Sequence, residues 1–226
     1  MNEPTAKVRV WDLPTRIFHW VLALTVVTAI ITAHVGGNAM QWHVACGMVA
    51  LILMSFRLVW GLVGGRWSRF ASFVYSPGTV LRYLRGQTRP DEHLDVGHNP
   101  LGSGSVFALL SLLAVQVGTG LVADDEIATR GPLNALVSED TAKLASSWHA
   151  DIGQWILVAL ITLHVGAIIF YKVKKGHNLV PPMVLGDKDL PAGTPASADG
   201  WKQRVLALLL LVASWAFAGW VWSKGG

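Results

Sequence analysis

The sequence predicts an all-α integral membrane protein, a four-helix bundle followed by a fifth, C-terminal transmembrane helix. Three observations lead there. Of the 226 residues, 52% are hydrophobic and only 14% charged, whereas a soluble domain carries roughly a quarter charged residues. The apolar residues are gathered into five blocks, residues 17–35, 43–63, 104–123, 151–171 and 205–223, each close to the ~20 residues of helix that cross a bilayer. Within those blocks only Arg57 and Asp151 carry a formal charge. Helix is the economical way to span, because hydrocarbon offers no water to satisfy open backbone groups.

The connections complete the organisation. Gly36-Gly37-Asn38 is the short turn between the first two spans, which makes them antiparallel neighbours. The loop 64–103 mixes arginines with aromatics, and within it residues 77–85 read as a short amphipathic helix along the headgroups. The loop 124–148 is acidic, with one apolar turn expected at 133–137. Residues 191–200, rich in Pro, Ala and Gly, read as a flexible linker. The expected division is therefore a transmembrane domain over 1–190, a linker over 191–200 and a C-terminal transmembrane helix over 201–226. The first apolar block is too long for a signal-peptide core and reads as an uncleaved anchor.

Charge sets the topology. The N-terminal tail, the 64–103 loop and the 172–204 segment fall on one side, and with Arg57 they hold 15 of the 18 Lys and Arg. The positive-inside rule places that side, with the N-terminus, in the cytoplasm and the C-terminus outside. The net charge of +4 follows from this asymmetry and is no sign of a nucleic-acid partner. Cys46 is the single cysteine, which excludes an internal disulfide, a four-cysteine iron–sulfur site and a CxxCH haem attachment.

The histidines carry the chemistry. His93, His98 and His177 lie in loops, but His19, His34, His43, His149 and His164 lie in or at the ends of three spans. An ionisable side chain at membrane depth points to function, and neutral imidazole is an axial ligand of haem iron. Alternating span directions put His19 and His164 towards the cytoplasmic face and His43 and His149 towards the outer face. Fifteen residues of α-helix between His149 and His164 advance roughly 22 Å, with an angular offset of about 60°. One helix face thus offers an imidazole at each level. The expected pairs are His43–His149 outside and His19–His164 inside, with His34 a competitor for the outer level. Gly47, Gly153 and Ala23 each follow one of these histidines by four residues, and a bare helix face at that spacing suits a flat macrocycle, although it equally suits close helix packing. Arg57 and Arg16 are candidates for haem propionate contacts, with interfacial snorkelling as the alternative. Asp151 is read as a proton relay or as a helix cap.

The chain resembles the bacterial cytochrome b561 family, including hydrogenase cytochrome b subunits, over roughly residues 8–186. The resemblance is carried by Arg16-Ile-Phe-His19-Trp, His43-Val-Ala-Cys-Gly-Met, Arg57-Leu-Val-Trp-Gly, His98-Asn-Pro-Leu-Gly, Trp148-His149-Ala-Asp-Ile-Gly and Leu163-His164-Val-Gly. It implies a four-helix core holding two haem b groups on His19, His43, His149 and His164, in a bacterial inner membrane. The fifth span departs from the family's shortest members.

Three functions follow as expectations. The first is a membrane cytochrome linking the quinone pool to a periplasmic redox partner. Six acidic residues from Asp124 to Asp151, against Arg130 and Lys143, suit a basic, cytochrome c-like protein. The second is a stand-alone superoxide:quinone oxidoreductase, an activity found within the resembled family. The third is a non-redox transporter or assembly protein whose membrane histidines bind metal or protons.

Overall fold

A computed structural model describes residues 4–89 and 92–225. Among them are five helices long and apolar enough to cross a membrane: Leu13–Val35, Gly37–Val63, Pro100–Val122, Glu139–Lys174 and Trp201–Trp222, with mean hydropathies of 1.8 to 2.2. All five sequence blocks are recovered. The protein is an all-α membrane bundle, and side chains such as Leu24, Val35, Leu62 and Leu209 lie exposed along its helices, as a lipid-facing surface requires. The chain forms two compact units, and each is described by itself.

The first unit comprises Met1–Ile17, Arg57–Phe107 and His164–Leu208. Its one sheet was not legible in the sequence. Strand β1 (Thr5–Arg9) pairs antiparallel with β2 (Asp187–Pro191), in a register that runs from Thr5 opposite Pro191 to Arg9 opposite Asp187. Opposite charges meet across the ribbon: Lys7 bonds Asp189 at 3.0 Å and Arg9 bonds Asp187 at 2.6 Å. Beneath it, Val10, Trp11, Trp67 and Val96 form an apolar core with Met183 and Leu190. Helix α1 (Leu13–Val35) begins in this unit at Asp12, a fully buried carboxylate. Its Oδ1 accepts from Thr15 N at 2.9 Å and Trp60 Nε1 at 3.1 Å, and its Oδ2 accepts from Gly65 N at 3.1 Å and Ser68 Oγ at 2.6 Å. That is an N-cap extended into a network.

The amphipathic segment expected at 77–85 is helix α3 (Pro77–Leu84), capped by Ser76, whose side chain accepts from Thr79 N. The linker expected at 191–200 is irregular in backbone but tied down. Ser197 N donates to Arg9 O, Ser197 Oγ donates to Val10 O, and Trp67 Nε1 donates to Pro195 O. Asp199 accepts from the first amide of α1, Leu13 N, at 3.0 Å and from Arg9 at 2.5 Å. Its burial opposes ionisation, but Leu13 N–H, Arg204 and Arg9 hold its carboxyl below the usual range. Small polar residues that look like a spacer in composition therefore act as caps.

The second unit comprises Phe18–Phe56, Ala108–Leu163 and Leu209–Gly226. The rest of α1 meets helix α2 (Met40–Val63) through the turn at Gly36 and Gly37, both with positive φ (65° and 53°). Helix α4 (Pro100–Val122) carries no histidine. The acidic loop is closed by an Asp124–Arg130 bridge and ion pair, and the apolar turn expected at 133–137 is a 3₁₀ turn, Asn134–Leu136. Helix α5 (Glu139–Ser147) then leads through a π-helical turn (Trp148–Gly153) into α6 (Gln154–Lys174). The fourth span thus starts twelve residues before Asp151, capped by Ser138. Asp151 is not the cap; it lies inside the π turn and accepts from Ser147 Oγ at 3.1 Å. The helices Val180–Leu185 (α7), in the first unit, and Trp201–Trp222 (α8) complete the chain.

Candidate functional site

Within the second unit, His43 of α2 and His149 of the π turn face each other with ring centroids 5.8 Å apart and planes at 81°. Both rings are anchored by the same atom. His43 Nδ1 lies 2.9 Å from the carbonyl of Ala29 on α1, and His149 Nδ1 lies 2.9 Å from the carbonyl of Gln116 on α4. A carbonyl only accepts, so each Nδ1 bears the proton and each Nε2 keeps its lone pair. This is the arrangement that orients a metal-ligating imidazole and raises its basicity. Both rings border an apolar cavity of about 360 Å³, within the range of small-molecule and cofactor pockets. Val26, Ala29, Gly47, Leu113, Gly120 and Leu157 are among its walls.

Helix α4 is shaped around His149. A Cβ on Gly120 would stand 2.8 Å from His149 Cε1 and 3.2 Å from Nδ1, and the Thr119 hydroxyl lies 3.4 Å from the same nitrogen. Of the glycines read from sequence spacing, Gly47 has nothing within 4 Å of its missing Cβ and lines the cavity, as expected. Gly153 serves another purpose, because its missing Cβ makes room for Gln116 Oε1 and the Trp148 indole.

The family model of the prokaryotic cytochrome b561 matches residues 10–186, a stretch that contains all four histidines read as ligands. The chain belongs to that family. It is a multi-pass bacterial membrane cytochrome of the b type, an electron-transport protein that carries haem b. Among its relatives is a probable Ni/Fe-hydrogenase 1 B-type cytochrome subunit of Escherichia coli K12, 25% identical with 78% of this chain and 88% of the relative covered. The probable Ni/Fe-hydrogenase B-type cytochrome subunits of Azotobacter vinelandii (28% identical, 79% and 87% covered) and Cupriavidus necator (26% identical, 78% and 85% covered) are similar. No solved structure gives a significant match.

In this cytochrome b561, His43 and His149 fit a haem between them. Two imidazoles on one iron, with metal–nitrogen bonds of roughly 2 Å, place their ring centres about 6 Å apart, close to the 5.8 Å of His43 and His149. His34 also borders the cavity, but it is exposed, its Nδ1 bonds the Ile30 carbonyl of its own helix at 2.9 Å, and its ring meets Trp155 edge-on. Other polar residues in the cavity lining include Thr129, Asp124 and Asp125.

The other two candidates belong to different units, so neither unit brings them together. Half-buried His19 lies in the second, edge-on to Trp20 at 5.1 Å, and half-buried His164 lies in the first. The arginines do more than snorkel. Arg57 is 3% exposed, lies 4.6 Å over the Phe70 ring and feels the charge of Asp12. Arg16 donates to the Val184 carbonyl at 2.6 Å and lies 3.9 Å from Asp199. Loop His98 is a structural residue, with Trp11 and Phe73 rings each 4.7 Å away. The sequence reading passed over Gln116 and Gly120, since a glutamine and a glycine in an apolar helix carry no motif. It also passed over Asp12, although Asp-Leu-Pro-Thr ahead of an apolar run is a helix-start signal.

Proposed function

We propose that this chain is a di-haem transmembrane cytochrome b that carries electrons between the quinone pool and a redox protein on the outer face of the bacterial inner membrane. In this reading the N-terminus is cytoplasmic and the C-terminus periplasmic. The observation that carries it is the His43–His149 pair, two imidazoles with Nδ1 protons fixed on backbone carbonyls and Nε2 atoms left for one iron. His19 and His164 hold the second haem at the cytoplasmic level, with Arg57 and Arg16 the nearest candidates for its propionates. Residues 1–190 form the haem-binding domain, residues 191–200 join it to the last helix, and 201–226 anchor the chain.

The haems supply one-electron transfer. The chain's own contribution is to hold His43 and His149 in one tautomer, to fix each of these two rings by a hydrogen bond, and to surround the pair with aliphatic side chains that exclude water. Rigid ligands in an apolar setting tune the potential and limit reorganisation on each transfer.

The partner is read from two supports. The relatives are named as subunits of Ni/Fe-hydrogenases, so they work with a separate redox protein. The loop that borders the His43–His149 cavity carries Asp124, Asp125 and Glu126, with Glu139 and Asp140 following, and such a surface favours a basic docking face. A hydrogenase module is the first donor to test and a cytochrome c-like protein the second.

The test uses the purified full chain in liposomes containing quinone, with the reduced donor added outside. The expected rate falls as ionic strength rises, and falls further when Asp125, Glu126, Glu139 and Asp140 are neutralised together. A rate indifferent to both overturns the docking surface. Rapid quinone reduction by superoxide with no protein partner would make the chain an enzyme in its own right instead.

A further inference from the structure

We infer that Gln116, on the helix that supplies no haem ligand, is the residue that positions His149 at the outer haem; the inference rests on the di-haem reading above. Two hydrogen bonds run in opposite directions between the same two residues. His149 Nδ1 donates to the Gln116 carbonyl at 2.9 Å, and Gln116 Nε2 donates to the His149 carbonyl at 2.7 Å. Gln116 is 9% exposed; of its two buried amide atoms only Nε2 is bonded, to the His149 carbonyl, while Oε1 has no hydrogen-bond partner among the described residues.

The local backbone explains why such a clamp is placed here. His149 lies in the π turn 148–153. A π turn breaks the regular i→i−4 ladder of a helix, and main-chain groups released from that ladder need partners elsewhere. Gln116 Nε2 is the partner of the His149 carbonyl. Gly153 completes the arrangement, since a side chain there would occupy the position of Gln116 Oε1. The sequence places a glutamine, a glycine and a histidine on two helices, and the fold brings them into one contact.

Gln116 acts through His149. The backbone carbonyl of residue 116 sets the imidazole tautomer and basicity whatever the side chain; the glutamine's own part is its Nε2 bond to the His149 carbonyl, which holds the turn so that Nδ1 stays in line with that backbone carbonyl. Replacing the amide with an apolar group of the same shape loosens the Nδ1–H···O bond, makes Nε2 less basic and favours ferrous over ferric iron. The potential of that haem rises.

The experiment compares wild type, Gln116→Met and His149→Ala as purified full chains. It measures haem stoichiometry, the two midpoint potentials by redox titration, and the low-temperature EPR spectrum of the ferric protein. Gln116→Met keeps the volume and removes the donor. It is expected to retain both haems while one potential rises, corresponding to about a two- to tenfold change in that haem's oxidised-to-reduced ratio at fixed ambient potential. One low-spin EPR signal moves and the other stays. Should Gln116→Met not accumulate, Gln116→Leu removes the donor without adding a charge and is read the same way. Unchanged potentials and EPR signals, or an equal shift of both haems, overturn the inference. If His149→Ala loses one haem while Gln116→Met is silent, only the role of Gln116 fails. If wild type binds no haem, or His149→Ala keeps a full complement, the di-haem reading itself fails.

Discussion

If His43 and His149 hold a haem as proposed, adding one methyl group to Gly120 should cost the protein that haem. The Cβ of Gly120→Ala would stand 2.8 Å from His149 Cε1, whereas ordinary contact begins at 3.4 Å, so the ring must retreat by about 0.6 Å (3.4 − 2.8). Retreat stretches the 2.9 Å Nδ1 bond to the Gln116 carbonyl and moves Nε2 off the line to His43. Overpacking of this kind costs about 1–3 kcal/mol, and a weakened hydrogen bond about 0.5–1.5 kcal/mol more. The sum, roughly 1.5–4.5 kcal/mol, converts to about a ten- to thousandfold loss of affinity at about tenfold per 1.4 kcal/mol. The control lies on the same helix. A Cβ at Gly118 meets nothing within 4 Å, so Gly118→Ala should be silent. The assay is haem per chain by pyridine haemochrome, with the reduced-minus-oxidised spectrum. A Gly120→Ala protein with both haems and an unshifted spectrum, or a Gly118→Ala protein equally damaged, would refute the reasoning.

Two further perturbations test the surroundings. In the outer loop, burial works against ionisation of Asp125, but the backbone N–H groups of Thr129, Ile127 and Ala128 prevail and hold its carboxyl at about 2, below the ordinary 3.8. A depressed folded-state pKa contributes stability that is present above the unfolded value and lost as pH falls through the folded one. Hydrogen-exchange protection of those three amides should therefore be flat down to about pH 4 and vanish towards about pH 2; loss of protection already at pH 5 or above would contradict the assignment. In the first unit, Asp12→Ala strands Thr15 N and Gly65 N and leaves Trp60 Nε1 and Ser68 Oγ with their bonds to Thr15 Oγ1. At roughly 1–3 kcal/mol for each buried group left unmatched, thermal unfolding in detergent should fall by several degrees at least. An unchanged midpoint would show the network to be dispensable.

The spans were legible because bilayer crossing imposes a one-dimensional signal, a block of about twenty apolar residues. The closeness of the His43 and His149 rings could be counted from sequence because each stands near the N-terminal end of its apolar block, in alternate spans. Depth along a helix can be counted in sequence. What escaped the sequence depends on partners far along the chain. The β1–β2 ribbon joins Thr5 to Pro191, and no local pattern announces it. Residues 191–200 have the composition of a spacer, yet Ser197 and Asp199 find bonds on Arg9, Val10 and Leu13. The π turn at 148–153 changes the angular count that assumed 100° per residue, and the His149 carbonyl within it is bonded by Gln116, on a different helix. The early start of the fourth span at Ser138 was hidden for the opposite reason, because α5 is polar and the apolar block begins only after it. Gly153 accommodates Gln116, and Gly120 is the glycine pressed against the His149 ring.

The decisive measurement is haem per polypeptide, by pyridine haemochrome, in the wild-type chain and in His43→Ala, His149→Ala, His19→Ala and His164→Ala. Two haem b groups in wild type are expected. His43→Ala and His149→Ala should each lose the same haem, and His19→Ala and His164→Ala should each lose the other. A folded wild type with fewer than two haems, or losses that pair the histidines differently, would contradict the two-level arrangement.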